Sequence, residues 1–425
     1  MRQKIRWLMT STLAACLALP SAAMATNAMV LIGYGTKSRG AGGIAIASPQ
    51  DSLAAATNPA TMGFVKSRVD VGADFFFPKA EAELGDFQEQ SQYDKYLMPA
   101  MGGVYNFNRK VSMGFTAIPW GGGGTRYNFN LYNASSGSNP DVTMGVELLS
   151  MQMAPSISYK FNKQNSVAAS LVIGVQRFRA FGLEYFENFT ATGLGSTGLT
   201  GNGNDYSYGA GARIGWMGQY LDKRLSLGAV YTSKIYQTEF DDYDELFAEQ
   251  GDLDSPPQAG LGISYKFTDD LTVGFDVLKT FYSEVAAINN QSAQKGPGSV
   301  FPNGDEKHRL GNDEGLGFGW DDQIAYKLGV LYDWNEKLTL RAGWNYGKSP
   351  VNEKNGEVLM AMVAPAITQH HATIGATYMP NKRTELSFSF VHAFKYEQEG
   401  PTFIGNTGRI QMDQNSLGVS FGYTL

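Results

Sequence analysis

The stretch Leu417-Gly-Val-Ser-Phe-Gly-Tyr-Thr-Leu425 alternates strictly between large apolar residues and small or polar ones. Successive side chains of an extended strand point to opposite faces, so the odd-numbered residues would form one apolar face. The same period of two recurs along most of the chain after residue 66, for example in Leu338–Tyr346 and Leu386–Phe390. The pattern predicts an all-β protein whose strands each have one apolar face and one face of small polar residues.

Short polar turns separate these strands, and an aromatic residue stands just before six of them. The six aromatic residues are Phe107, Phe161, Tyr220, Phe267, Trp334 and Tyr378. Alternation alone would also fit a soluble β-sandwich. Such a sandwich has no membrane interface to select an aromatic residue before each short turn. A membrane interface selects aromatic residues beside the turns of a barrel, so we expect the first five in one girdle.

Longer polar segments lie between the short turns. They fall near residues 79–94, 128–145, 182–204, 237–255, 286–320, 349–366 and 397–410. With both termini at the short-turn, periplasmic end, seven outer loops require seven hairpins and therefore fourteen strands. No stretch after residue 25 approaches about 18 consecutive apolar residues, which excludes transmembrane helices. We therefore predict a transmembrane antiparallel β-barrel over residues 67–425.

The first 25 residues have the layout of a secretory signal peptide. Three basic residues precede the apolar run Trp7–Leu19, and a small-residue exit follows at Ala23-Met-Ala25. We expect cleavage after Ala25; the alternative is a lipoprotein processing site that leaves a lipidated Cys16. Loss of the three basic residues changes the formal net charge from -6 to -9, which argues against nucleic acid as a partner.

The segment Thr26–Lys66 differs from everything after it. It is rich in Gly, Ala and Ser and shows no alternation. Asp51 can cap a short helix that must end before Pro59, because the residue ahead of a proline is pushed out of the α region. We predict a compact insert over residues 26–66; the alternative is a disordered leader of small residues.

Several motifs, in this order, resemble the outer-membrane transporters of long-chain fatty acids and aromatic hydrocarbons (FadL/TodX type). They are the hatch motif Asn58-Pro59-Ala60, the hairpin Ala154–Leu171, and the strand Leu338–Trp344 followed by Ser349-Pro-Val351. The resemblance covers nearly the whole chain after residue 25. It implies a barrel with an N-terminal hatch and passive transport through hatch rearrangement. The final Leu425 departs from the family, which ends in an aromatic residue.

Strand three is interrupted. Val111–Ala117 alternates well, and then Ile118, Pro119, Trp120 and the run Gly121-Gly122-Gly123-Gly124 follow. Proline removes a ladder donor and glycines weaken pairing, so the ladder should open here; the alternative is an ordinary strand end that enters a loop. The family resemblance implies a kink that makes a lateral window in the wall. We expect Asn58-Pro59-Ala60 to lie against this broken strand and cover its unpaired backbone groups.

Two arginines near the outer end of strand five, Arg177 and Arg179, fall where the family places a basic residue that meets a fatty-acid carboxylate. The resemblance therefore makes them candidates for binding the ligand carboxylate. The alternative is that they are rim residues that contact anionic lipid head groups.

No pattern in the sequence indicates an enzyme, a cofactor or a metal site. Gly347-Lys-Ser349 resembles the end of a phosphate-binding loop, but position 342 is alanine and Pro350 blocks the helix that should follow. His370 and His371 are adjacent and would point to opposite faces of a strand, so they could not share a metal ion.

We therefore expect a monomeric transporter in the outer membrane of a Gram-negative bacterium, surrounded by lipid and lipopolysaccharide. The resemblance implies uptake of hydrophobic compounds, with long-chain fatty acids as the first hypothesis. The alternatives are an uptake channel for aromatic or alkane hydrocarbons, and a structural or adhesive barrel that uses only its loops. A fatty acid requires a cation for its carboxylate, whereas a hydrocarbon requires none.

Overall fold

The computed structural model describes residues 26–291, 306–353 and 356–425. The predicted signal peptide and Cys16 lie outside the described residues. None of the helices in these three ranges is both long enough and apolar enough to cross a membrane.

The wall consists of fourteen strands, which confirms the number predicted from the turns. In chain order they are β1 Arg68–Leu84, β2 Tyr96–Asn106, β3 Val111–Tyr127, β4 Met144–Lys160, β5 Asn165–Phe181, β6 Asp205–Tyr220, β7 Leu225–Thr232, β8 Gln258–Lys266, β9 Leu271–Thr280, β10 Gln323–Asn335, β11 Leu338–Gly347, β12 His370–Tyr378, β13 Thr384–Pro401 and β14 Thr407–Thr424. Each strand pairs antiparallel with the next one. The ladder between β14 and β1 runs from Gly408↔Leu84 to Thr424↔Arg68 and closes the barrel.

The up-and-down order places the six tight turns, the start of β1 and the end of β14 at one end of the barrel. The aromatic residues before these turns are exposed, from Phe107 at 68% to Tyr378 at 46%, except Tyr220, which is half-buried. They therefore lie on the outer surface at the short-turn end, as expected for residues that contact a membrane interface.

Two of the predicted outer loops are largely strand. Within residues 79–94, β1 continues to Leu84 and a short strand follows at Phe87–Gln90. Residues 397–410 were expected to form an outer loop, but β13 continues to Pro401 and β14 begins at Thr407. Glu399 pairs with Arg409 in this extension, whose outward residues are charged and polar. The polar composition that predicts a loop is here typical of a strand that rises beyond the apolar band of the barrel.

Residues 26–66 lie in the lumen. They form a short helix at Thr36–Gly40 and two 3-10 helices at Ser52–Ala56 and Pro59–Phe64, and Asp51 caps the first 3-10 helix by accepting from two backbone amides. Inward glycines of the wall admit this backbone: a Cβ added to Gly343 would clash with Ala41 and Gly42. Small inward residues thus make room for a plug.

Candidate functional site: a one-sided gap, a flap and an apolar cavity

Strand β3 is continuous, but its ladder is open on one side. Toward β4 it pairs along its whole length, with a register shift between Pro119 and Gly121. Toward β2, pairing ends at Met101↔Ala117, although β2 itself continues back to Tyr96 in its ladder with β1. Contact resumes where the amide of Gln92 donates to the carbonyl of Arg126 (2.7 Å). We call the opening between these two points the lateral gap.

Two glycines of the run adopt a backbone that other residues avoid. Gly122 has φ 142° and Gly124 has φ 152°. A Cβ at either position would also clash with a backbone carbonyl of β4. The neighbouring Gly123 has no left-handed φ, and a Cβ there would meet nothing within 4 Å. The glycine run therefore shapes the wall at positions 122 and 124 and leaves open space at position 123.

The first described residues cover the inside of β3 at this point. Thr26–Asn27 pairs with Val30–Leu31 in a small hairpin, and Val30 in turn pairs with Gly121. The amide of Gly122 donates to the carbonyl of Met29 (2.9 Å). A Cβ at Gly121 would clash with that same carbonyl. We call residues Thr26–Leu31 the flap.

Few polar contacts hold the flap. The amide of Thr26 donates to Gln414 Oε1 (3.1 Å), and Thr368 Oγ1 donates to the carbonyl of Thr26 (3.0 Å). The hydroxyl of Tyr282 donates to the carbonyl of Asn27 at 3.5 Å. Burial raises the pKa of Tyr282, so this hydroxyl stays a neutral donor at physiological pH.

The hatch motif lies elsewhere, which corrects the expectation that Asn58-Pro59-Ala60 covers the broken strand. Asn58 caps the second 3-10 helix, with Oδ1 accepting from the amide of Ala60. Its Nδ2 donates to the carbonyl of Ile46 (2.8 Å) within the hatch and to that of Trp216 (3.0 Å) on β6. The side-chain amide thus joins the hatch to a different part of the wall, and the flap takes the place next to β3.

An apolar cavity of about 70 Å³ adjoins the flap and the glycine run. Met29 and Gly122–Gly124 form one side, and Phe178, Phe247 and Trp320 contribute to the others. Of its eighteen lining residues, only Thr26 is polar, and none is charged. The apolar lining is typical of a site for a small hydrophobic molecule.

A second apolar cavity, of about 30 Å³, adjoins the first and shares Val146, Phe178, Phe247 and Phe318 with it. Its other lining residues come largely from the long connections, among them Phe186 and Leu310. The two cavities therefore lie in series, from the long-connection end of the barrel toward the flap.

Arg177 and Arg179 face away from these cavities. Their neighbour Phe178 lines both cavities, and alternate residues of a strand point to opposite faces. Both arginines bind the buried carboxylate of Glu147 on β4: Arg177 Nη2 lies 2.5 Å from Oε1 and Arg179 Nη2 lies 2.6 Å from Oε2. The structure therefore does not bring these two candidates together with the cavity, and it satisfies their charges on the outer surface.

A family model described as outer membrane protein transport protein (OMPP1/FadL/TodX) matches residues 12–421. The chain belongs to this family. The family places it in the outer membrane of a Gram-negative bacterium, among transporters of hydrophobic compounds. Cleavage of the leader, contact with lipopolysaccharide and a monomeric state stay predictions.

Solved structures with the same fold include members of the OMPP1/FadL/TodX family. The toluene transporter TodX of Pseudomonas putida is 18% identical over 94% of this chain and 100% of its own, with a TM-score of 0.68. The toluene transporter TbuX of Ralstonia pickettii is 18% identical over 93% and 99%, with a TM-score of 0.66. A FadL homologue of Pseudomonas aeruginosa is 17% identical over 93% and 99%, with a TM-score of 0.68. No curated protein sequence matches the chain significantly.

Proposed function

We propose that this family member takes up small, uncharged hydrophobic compounds and releases them sideways through the lateral gap. The observation that supports this most directly is the position of the apolar cavity. Its wall is formed by Met29 of the flap and by Gly122–Gly124, which lie on β3 where this strand has no ladder with β2. A molecule in the cavity is thus separated from the gap by the flap and by a strand without bulky side chains.

The chemistry of the cavity favours hydrocarbons over fatty acids. A buried carboxylate requires a charged or strongly hydrogen-bonding partner, because an unpaired charge in an apolar site is costly. None of the lining residues is Lys, Arg or His, and Arg177 and Arg179 bind Glu147 on the outer surface. Two of the solved relatives are described as toluene transporters, which agrees with this substrate class.

The proposed route has three steps. A hydrophobic molecule enters the outer cavity among the long connections and passes Phe178 and Phe247 into the inner one. The flap then withdraws from Gly121, which breaks the hydrogen bond between Gly122 and Met29. The molecule leaves between β2 and β3 into the apolar interior of the membrane. A continuous aqueous pore would be a poor route for such a substrate, since water disfavours apolar surface.

Position 123 offers a direct test of the route. Gly123→Phe places a large side chain in open space, without a backbone clash and without a left-handed φ, so the barrel should fold normally. We expect this variant to abolish uptake of a one-ring hydrocarbon by intact cells. Gly123→Ala is the matched control, since its single methyl group meets nothing within 4 Å, and it should transport at the normal rate.

Normal uptake by Gly123→Phe, with the protein shown to be folded and in the outer membrane, would mean that the route runs elsewhere. Binding measurements on the purified protein separate the substrate classes. We expect toluene to bind in the cavity. Oleate should bind more weakly, because its carboxylate has no charged partner among the lining residues. Stronger binding of oleate than of its uncharged methyl ester would contradict the hydrocarbon assignment and favour long-chain fatty acids.

A further inference from the structure

The buried carboxylate of Glu147 binds a tyrosine in addition to Arg177 and Arg179. Tyr93, from the connection between β1 and β2, donates its hydroxyl to Glu147 Oε2 (3.2 Å) and accepts from Arg179 Nη2 (2.5 Å). Glu147 is 2% exposed although it faces outward from the wall. Burial and the neighbouring Glu147 raise the pKa of Tyr93, so the phenol remains protonated and keeps donating.

These contacts cross the lateral gap. Tyr93 stands on the β2 side, where its ring packs edge-to-face on Tyr96 at 6.2 Å between centroids. Glu147 belongs to β4, on the far side of β3, and its register partner on β3 is Gly124. Because Gly124 has no side chain, nothing on β3 stands between the phenol and the carboxylate.

The side chains of Tyr93, Glu147 and Arg179 lie between the two ends of the lateral gap. The lower limit is the last backbone pair of β2 and β3, Met101↔Ala117. The upper limit is the contact of Gln92 with Arg126, directly next to Tyr93. Side-chain bonds to a charged group are stronger than neutral ones, so they can restrain the two edges where backbone pairing is absent.

We infer that Tyr93, Glu147 and Arg179 form an outer latch that fixes the width of the lateral gap and thereby limits the size of the molecules that leave through it. This rests on the proposed lateral route. Tyr93 acts as a specificity-determining residue: its hydroxyl ties the β2 edge to β4 and β5, and its loss lets the edges separate.

Tyr93→Phe tests the latch with the smallest possible change, because it removes one oxygen and keeps the ring on Tyr96. Intact cells that express the full chain are given toluene and, separately, a four-ring hydrocarbon such as pyrene. We expect the ratio of pyrene uptake to toluene uptake to rise by about tenfold, as the loss of hydrogen bonds to charged groups implies. Toluene uptake itself should stay nearly constant.

Glu147→Gln should raise the same ratio, since the neutral amide holds Arg179 and Tyr93 less firmly. Glu83→Gln is the matched control: Glu83 pairs with Arg409 on the ladder of β14 and β1, outside the gap, and its loss should leave the ratio unchanged. Should Glu147→Gln fail to fold, Tyr93→Phe alone decides.

An unchanged ratio in Tyr93→Phe would overturn the latch. Gly123→Phe, measured with the same two hydrocarbons, separates this failure from a failure of the proposed function. If Gly123→Phe blocks both compounds while Tyr93→Phe leaves their ratio unchanged, the route is lateral and only the latch is wrong. If Gly123→Phe passes both, the lateral route itself is wrong.

Discussion

Two parts of the same hatch are attached to the barrel in different ways. Residues 36–61 carry buried ionic and polar anchors, whereas the flap has no charged side chain at all. Arg39, 1% exposed, binds Asp74 at 3.1 Å and Ser416 at 3.0 Å. Asp276 accepts from the amides of Ala45 and Ile46 at 2.7 and 2.8 Å. The comparison indicates that ionic contacts anchor residues 36–61, whereas neutral contacts alone hold the flap, which is the part next to the gap.

The largest effect should come from breaking an anchor. Asp74→Ala leaves the guanidinium of Arg39 buried without its carboxylate, which costs about 3–5 kcal/mol when one member of a buried pair is removed. We expect the hatch to lose its fixed position and residues 26–66 to become accessible to protease, with reduced resistance to urea.

Asp269→Ala is the control for this change. Asp269 is 89% exposed and lies 3.8 Å from Lys266, so its removal should leave proteolysis and urea resistance unchanged. An Asp74→Ala protein with a protease-resistant hatch would contradict the view that ionic anchors fix the plug.

A medium effect should come from displacing the flap. Gly121→Ala places a methyl group against the carbonyl of Met29, and overpacking of this kind costs about 1–3 kcal/mol. The amide of Gly122 should then exchange hydrogen much faster, and toluene uptake should rise because the flap no longer closes fully. Gly123→Ala, two residues along, should change neither rate. Unchanged exchange at Gly122 in Gly121→Ala would show that the flap is held by other contacts.

The smallest effects should come from the same substitution, Thr→Val, made once next to the flap and once next to the anchored part of the hatch. Thr368→Val removes the bond to Thr26, and Thr373→Val removes the bond from the amide of Gly42 (2.8 Å). Each loss should cost about 0.5–1.5 kcal/mol. We expect Thr368→Val to speed hydrogen exchange in the flap alone and Thr373→Val to leave the flap unaffected. Equal exchange in the flap of both variants would mean that flap and plug move together.

The wall could be predicted almost completely from local signals. Period-two alternation and tight turns depend on neighbouring residues, so they can be recognised in the sequence without knowledge of the fold. The extension of β13 through Glu397 to Pro401 was missed because its charged outward residues look the same in a loop and in a strand outside the membrane.

The site could be predicted only in part. The glycine run lies where β3 has no ladder with β2, and Pro and Gly have direct backbone consequences that can be read from the sequence. The partner of Asn58 could not be read from sequence, because its bond to Trp216 joins residues 158 positions apart. The side-chain direction of Arg177 and Arg179 could have been predicted from the sequence. Phe178 continues the even-numbered inward positions of β5, so the odd-numbered arginines must point outward.

The four residues Ile32–Gly35 join the flap to the anchored helix at Thr36–Gly40, and this connection affects how the flap closes again. A closing element on a short tether remains at a local concentration in the millimolar range, whatever the amount of protein in the membrane. On the proposed route, reclosure is then a unimolecular event. We therefore expect the concentration difference of the substrate to set the direction of net flow, so that storage of the compound in the membrane keeps drawing it inward.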